Sequence, residues 1–207
     1  MRRWLPVVVV LALAGAWLGT RSHPAASLAS APRCPAPDAF AGEDGAVQTD
    51  VPGDIADFPL GDARAHPLAG FSVAARVLSR EDYRHGREAD YSPMDLALGW
   101  GRMRDDAVLQ RLSLSQSLRY YRYGWRDDPP IPPDEIVRSS ANMHLIPADA
   151  TVAAALDGVA AGDRVRIDGW LVRIDASDGW RWTSSLSRED SGGGACELVY
   201  VCTVTRR

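Results

Sequence analysis

The stretch Arg164-Val-Arg-Ile-Asp-Gly-Trp-Leu-Val-Arg-Ile174 constrains the fold more than any other, because polar and apolar residues alternate along it with the two-residue period of a β-strand. Val165 and Ile167 share one face, whereas Trp170, Val172 and Ile174 fall on the opposite parity after Gly169. A glycine at which alternation changes parity predicts a bulge or sharp coil, a device that lets one strand serve both halves of a small closed barrel. Ala176-Ser-Asp-Gly179 then carries the Asp-Gly hairpin signal. Trp180, Trp182, Ser184 and Leu186 line one face of the next strand, Ser187 to Gly194 form a polar loop, and Cys196, Leu198, Tyr200, Cys202 and Val204 line one face of the last. Three consecutive antiparallel strands therefore end the chain.

Upstream, Phe71, Val73, Ala75 and Val77 alternate with their neighbours and predict an opening strand. Ser92-Pro-Met-Asp95 supplies an N-cap, a proline at the first helical position and a first-turn acid, so a helix is expected through about Leu98. A second short helix is expected over 105–112, with Val108 and Leu112 on one side, and a strand over 118–125. Asp128-Pro-Pro-Ile-Pro-Pro133 forces an extended loop. Residues 135–146 read either as a helical turn or as a strand, entering Met143 to Ile146. Asp149 caps a third helix whose Val152, Leu156 and Val159 face a sheet. The fold class expected for 71–207 is α+β: a small antiparallel, OB-like or related β-barrel or curved sheet with two to three short helices, preceded by an N-terminal hydrophobic helix.

That helix is the uncharged run Trp4 to Gly19, which follows Arg2 and Arg3. At ~1.5 Å per residue it reaches about 24 Å, workable for a bilayer with Trp4 and Trp17 near the interfaces, and the two arginines favour N-in, C-out insertion. Residues 1–20 are read as a signal anchor or signal peptide, with Ala25-Ala26-Ser27 and Ala29-Ser30-Ala31 as small-residue cleavage sites. Residues 21–70 read as a flexible acidic Ala/Pro/Asp-rich spacer with a short docking segment at 55–60. The expected location is the bacterial inner membrane, single-pass with the C-terminal domain in the periplasm, the alternative being secretion to the periplasm after cleavage.

The 207 residues carry a net charge of −4, which argues against nucleic acid as a partner. All 23 basic residues are arginine, which excludes lysine Schiff bases and P-loop chemistry. No motif calls for a cofactor, and no CxxC or Cys/His spacing calls for a metal. His85, among carboxylates, reads as part of a solvated loop.

Three cysteines, Cys34, Cys196 and Cys202, are disulfide candidates in an oxidising compartment. Six residues of extended strand separate Cys196 from Cys202 by about 20 Å, too far for a bridge. Either reaches Cys34 through the spacer and leaves one thiol over; the alternative is buried unpaired thiols.

On a strand, Ser140, Asn142 and His144 share a face while Met143 and Leu145 point away. Such a set presents a hydroxyl, an amide and a general base, completed by a carboxylate such as Asp95 or Asp163; the structural alternative is a hydrogen-bonded core histidine. Tyr121, Tyr123 and Trp125 interleave with arginines, as do Trp180 and Trp182, a pattern suited to stacking on sugars or peptides and equally to packing a core. The function expected is a membrane-tethered periplasmic binding or assembly module without catalytic activity, with Tyr121, Tyr123, Trp125, His144, Trp180 and Trp182 as its surface. Its partner would be an envelope protein, peptide or glycan. The alternative is an envelope hydrolase or other enzyme using His144, Ser140 and Asn142.

Over 71–204 the chain resembles a group of bacterial exported or membrane-anchored proteins with no assigned activity. The similarity lies in Ser92 to Gly101, Ser139 to Ala148, Gly162 to Val172, Gly179 to Trp182 and Gly194 to Leu198. The Gly-Asp-x-Val-Arg-Ile-x-Gly-x-Leu-Val stretch is also similar to the opening strand of OB-like barrels. The resemblance implies one coherent domain and transfers no catalytic residue.

Overall fold

A computed structural model describes residues 34–190, 192 and 194–206. The N-terminal apolar run and its cleavage sites lie outside the described residues. In chain order the elements are β1 (Gly45–Thr49), β2 (Phe58–Leu60), β3 (Ala63–Asp82), α1 (Arg87–Tyr91), β4 (Met94–Gly99), a 3-10 turn (Gly101–Arg104) and α2 (Asp106–Leu109). Then follow β5 (Leu112–Ser117), β6 (Tyr120–Trp125), α3 (Pro133–Arg138), β7 (Ser140–Pro147), α4 (Ala150–Asp157), β8 (Arg164–Ala176), β9 (Arg181–Thr183) and β10 (Glu197–Arg206). The result is a sheet-rich α+β fold with few, short helices around one curved mixed sheet.

Strand order in that sheet is β1-β3-β4-β7-β10-β8-β9, with β2 on β3 and a further pairing of β8 with β3; β5 and β6 form a separate hairpin. Neighbours are antiparallel except β7 and β10, which run parallel. Side chains alternate between two faces, and both faces are buried. One gathers Phe71, Val73, Leu96, Leu98, Met143, Leu145, Ile167 and Val199 beneath Val152 and Leu156 of α4. The other gathers Phe58, Ile146, Trp170, Val172, Ile174, Leu198 and Tyr200.

Double-sided burial corrects the reading of Gly169. The strand does not break there: β8 pairs with β3 from Arg164 to Ala176, and the register shifts lie on its partners, between Pro67 and Ala69 and between Val201 and Thr203. Val165, Ile167 and Leu171 keep one face throughout, while Trp170, Val172 and Ile174 occupy the second, which becomes apolar only beyond Asp168. Gly169 serves close approach, since a Cβ there would lie 2.0 Å from the Tyr200 carbonyl oxygen.

The helix expected after Ser92 is a strand instead. Met94, Leu96 and Leu98 alternate with Asp95, Ala97 and Gly99, all six buried between β3 and β7, so long-range pairing overrides local capping signals. The strand expected over 118–125 begins two residues later, because Leu118 and Arg119 have positive φ and make the tip of the β5–β6 hairpin. Residues 105–112 contain only the single turn of α2 before β5 begins at Leu112. Residues 135–146 are divided: helix to Arg138, strand from Ser140. At the end of the chain β9 pairs with β8 near Ile174 while β10 pairs with β8 near Ile167 and continues onto β7.

Asp149 caps α4, its carboxylate accepting from the Val152 amide at 2.8 Å. The described part of the expected spacer, from Cys34 on, lies along the sheet: β1 and β2 pair with β3, the Ala41 amide donates to Ser72 Oγ, and Phe58 packs on Tyr200. Cys34 is bonded to Cys202, with Cα atoms 5.2 Å apart, and Cys196 is free. No helix among the described residues is long and apolar enough to cross a membrane.

Candidate functional site

Three neighbouring strands carry polar side chains on a face that is otherwise apolar. On β4 this face holds Asp95; on β7 it holds Asn142 and His144; beside them, just ahead of β10, stands Cys196. The pairing of Asp95 with His144 and of Leu198 with His144 brings the three strands into line. Asp95 is fully buried, so its charge must be matched.

It is matched from three sides. Arg119 donates from Nη1 to Oδ1 at 2.7 Å, and Asn142 donates from Nδ2 to Oδ2 at 3.1 Å. His144 Nδ1 lies 2.9 Å from Oδ1, within ion-pair reach though not aligned as a hydrogen bond. Burial alone would lower the pKa of His144, but contact with Asp95 and with the Cys196 thiol outweighs it and pushes the imidazole up to about 9. His144 therefore carries a proton at neutral pH, and Asp95 is its counter-ion together with that of Arg119.

Arg119 reaches Asp95 from the hairpin tip. Its guanidinium lies 3.7 Å from the ring centre of Tyr83 and 5.5 Å from that of Trp182, and Nη2 donates to the Ser92 carbonyl. The Arg119 amide donates to Tyr83 Oη. Burial, and then the nearby Asp95 charge, raise the pKa of that phenol. These contacts hold a non-glycine residue at φ 68°, which without them costs about 1 kcal/mol or more. Asn142 completes the network: Nδ2 also donates to the Arg119 carbonyl, and Oδ1 accepts from Gln116 Nε2 at 2.7 Å, which is itself held by Ser79.

The network ends at a cleft of about 260 Å³ between the β5–β6 hairpin, the start of β7 and residues Ser187, Arg188, Asp190 and Cys196. Tyr121, Arg122 and Tyr123 form one wall, and Asn142, Cys196 and Glu197 another. Arg122 is exposed. Among the described residues, four atoms of cleft-lining side chains are buried without a hydrogen-bond partner: Tyr121 Oη, Glu197 Oε2, and Nε and Nη2 of Arg188. The other oxygen of Glu197 is paired with Arg188.

The aromatic surface read from the sequence divides in two. Tyr121 and Tyr123 line the cleft, with Trp125 stacked on Tyr123 beyond it. His144 lies behind, its ring 4.9 Å from Trp182, and Trp182 adjoins Trp180, which stacks on Tyr91. Among the alternative catalytic residues, Ser140 donates its hydroxyl to the Ile136 carbonyl, and Asp163 accepts from the Ala160 amide at the turn before β8. Asp95 is the carboxylate facing His144. Arg119 and Cys196 are the members that sequence reasoning missed in these roles. Among the described residues no group of three His, Cys, Asp or Glu side chains is arranged to hold a metal ion. Set against known protein families, curated proteins and solved structures, the chain finds no match.

Proposed function

We propose that the domain is an OB-like barrel acting as a membrane-tethered periplasmic binding module whose ligand is an envelope peptide or glycan bearing a free carboxylate. Barrel closure is supported by the pairings, which run β3-β4-β7-β10-β8 and return to β3, with β7 and β10 parallel and α4 between β7 and β8. In OB-like barrels the outer face of the second and third strands and the loops around it take the ligand. Here those strands are β4 and β7, the strands of Asp95, Asn142 and His144.

The observation that carries the reading is the cleft itself. It joins tyrosine rings, the exposed cation of Arg122 and buried polar atoms, Tyr121 Oη among them, that have no hydrogen-bond partner among the described residues. Rings stack on sugar or peptide planes, Arg122 pairs with a carboxylate, and the unpartnered atoms accept or donate the hydrogen bonds that fix orientation. The Cys34–Cys202 bridge and the positively flanked N-terminal apolar run support an oxidising, extracytoplasmic setting.

Calorimetric titration of the purified protein with a soluble cell-wall disaccharide tetrapeptide tests this function. Saturable one-to-one binding is expected, weakened about tenfold by Arg122→Ala, the loss of roughly one charge-assisted contact. Absence of saturable heat, or binding indifferent to Arg122, would overturn it. An enzyme is the second reading, favoured by the contact of His144 with Asp95 on one side and a thiol on the other.

A further inference from the structure

We infer that Cys196, His144 and Asp95 form a nucleophilic thiol site that opens on the cleft and accepts an acyl group from a carbonyl of the ligand. The inference goes beyond binding and rests on the same cleft. Carboxylate, imidazole and thiol come from three adjacent strands and share one face, in the order Asp95, His144, Cys196 across the sheet. Cys196 sits one residue ahead of the Glu197–Met143 pair, at the level of Asn142, whose Nδ2 is 3.9 Å from Sγ. The thiol also contacts the Arg119 carbonyl at 3.7 Å.

The division of exposure suits such a site. Asp95 and His144 are buried, so their geometry is fixed by packing, while Cys196 is half-buried and forms part of the cleft wall. Glu197, the next residue, turns its side chain to the opposite face with Met143, and its carboxylate is ion-paired with Arg188.

The chemistry balances with these groups and water alone. Sulfur attacks as thiolate, with the proton resident on His144, and an S–C bond forms at the ligand carbonyl carbon. As the C–N or C–O bond breaks, the His144 proton passes to the departing amine or alcohol, leaving a thioester and a neutral imidazole. That imidazole then takes a proton from water, the hydroxide attacks the thioester, and the S–C bond breaks to return thiolate and imidazolium. Asp95 is a positioning residue: it orients the ring and matches its charge without touching the ligand.

Two small probes test the site without involving the cleft's recognition of a peptide or glycan, so failure of binding and failure of nucleophilicity are separately visible. Iodoacetamide should alkylate Cys196 of the intact, bridged protein at about pH 6 at least about tenfold faster than it alkylates glutathione, and His144→Gln should remove that excess. Should the His144 variant not fold, the pH profile of the wild-type protein decides. A rate nearly level between about pH 6 and 8 supports the site, and a rate rising about tenfold per pH unit over that range, as for an isolated thiol, overturns it. With p-nitrophenyl acetate, a stoichiometric burst of p-nitrophenol and an acetyl group on the Cys196 peptide are expected, both lost in Cys196→Ser. Alkylation no faster than glutathione, or no burst, refutes the assignment.

Discussion

Replacing Asp95 with asparagine keeps the volume of the side chain and removes its charge. The carboxylate is fully buried and holds Arg119 at 2.7 Å, Asn142 at 3.1 Å and His144 at 2.9 Å. Asparagine leaves the guanidinium and the imidazolium without a counter-ion and points two N–H donors toward groups that are donors themselves. Breaking a buried pair from one side costs about 3–5 kcal/mol. Part of that cost depends on pH in a defined direction. His144 is raised from 6.5 to about 9 in the folded protein, so its contribution is fully present below pH 6.5 and is lost as pH rises through about 9; it amounts to roughly 3 kcal/mol. Urea unfolding followed by tryptophan fluorescence at several pH values measures both effects, with an unchanged denaturant slope confirming that compactness is preserved. Asp95→Asn should be less stable by about 3–5 kcal/mol near pH 6, and the gap to wild type should narrow as pH passes 9. A gap below about 1 kcal/mol near pH 6, or one that stays constant with pH, would refute the reasoning.

Two further outcomes follow from packing and covalent topology. Cys34 and Cys202 are 168 residues apart in sequence, so in the chain-entropy account Cys34→Ser should lower stability by about 5 kcal/mol; a melting temperature equal to wild type would count against it. Gly169→Ala would place a Cβ 2.0 Å from a carbonyl oxygen of β10, and the strands must separate to admit it. Thermal unfolding should show a loss of several kcal/mol, whereas a neutral substitution would mean that β8 and β10 are not in register there.

The terminal half of the fold was the more legible. The α4 cap at Asp149, the Asp-Gly turn and the strand at 164–174 all follow from signals that act within a few residues, and each stands where those signals put it. β4 was hidden because Ser92-Pro-Met-Asp satisfies every local rule for a helix start, while the forces that make it a strand come from β3 and β7. Asp95 was thus placed on a helix, although it was one of the two carboxylates named as partners of His144. Ser113, Ser115 and Ser117 alternate with Leu112, Leu114 and Gln116, so β5 left a period-two trace between the helix expected over 105–112 and the strand expected over 118–125. In β8 an apparent parity slip came from two buried faces, which single-face alternation cannot represent. Of the site, the shared face of Ser140, Asn142 and His144 was readable, because strand period fixes it. Arg119 was not, since its reach depends on a hairpin tip built from non-glycine residues, and Cys196 was weighed for bridging, with its oddness in a three-cysteine chain as the one available clue.

The central claim is that Asp95, His144 and Cys196 act as one charged unit at the wall of the cleft. Nitrogen-15 chemical shifts of the His144 ring, followed by NMR through a pH titration of the intact protein, test it most directly. Both ring nitrogens should carry protons at neutral pH, with a midpoint near 9 that falls in Asp95→Asn. A neutral ring at pH 7, with a midpoint at or below the ordinary histidine value, would contradict it.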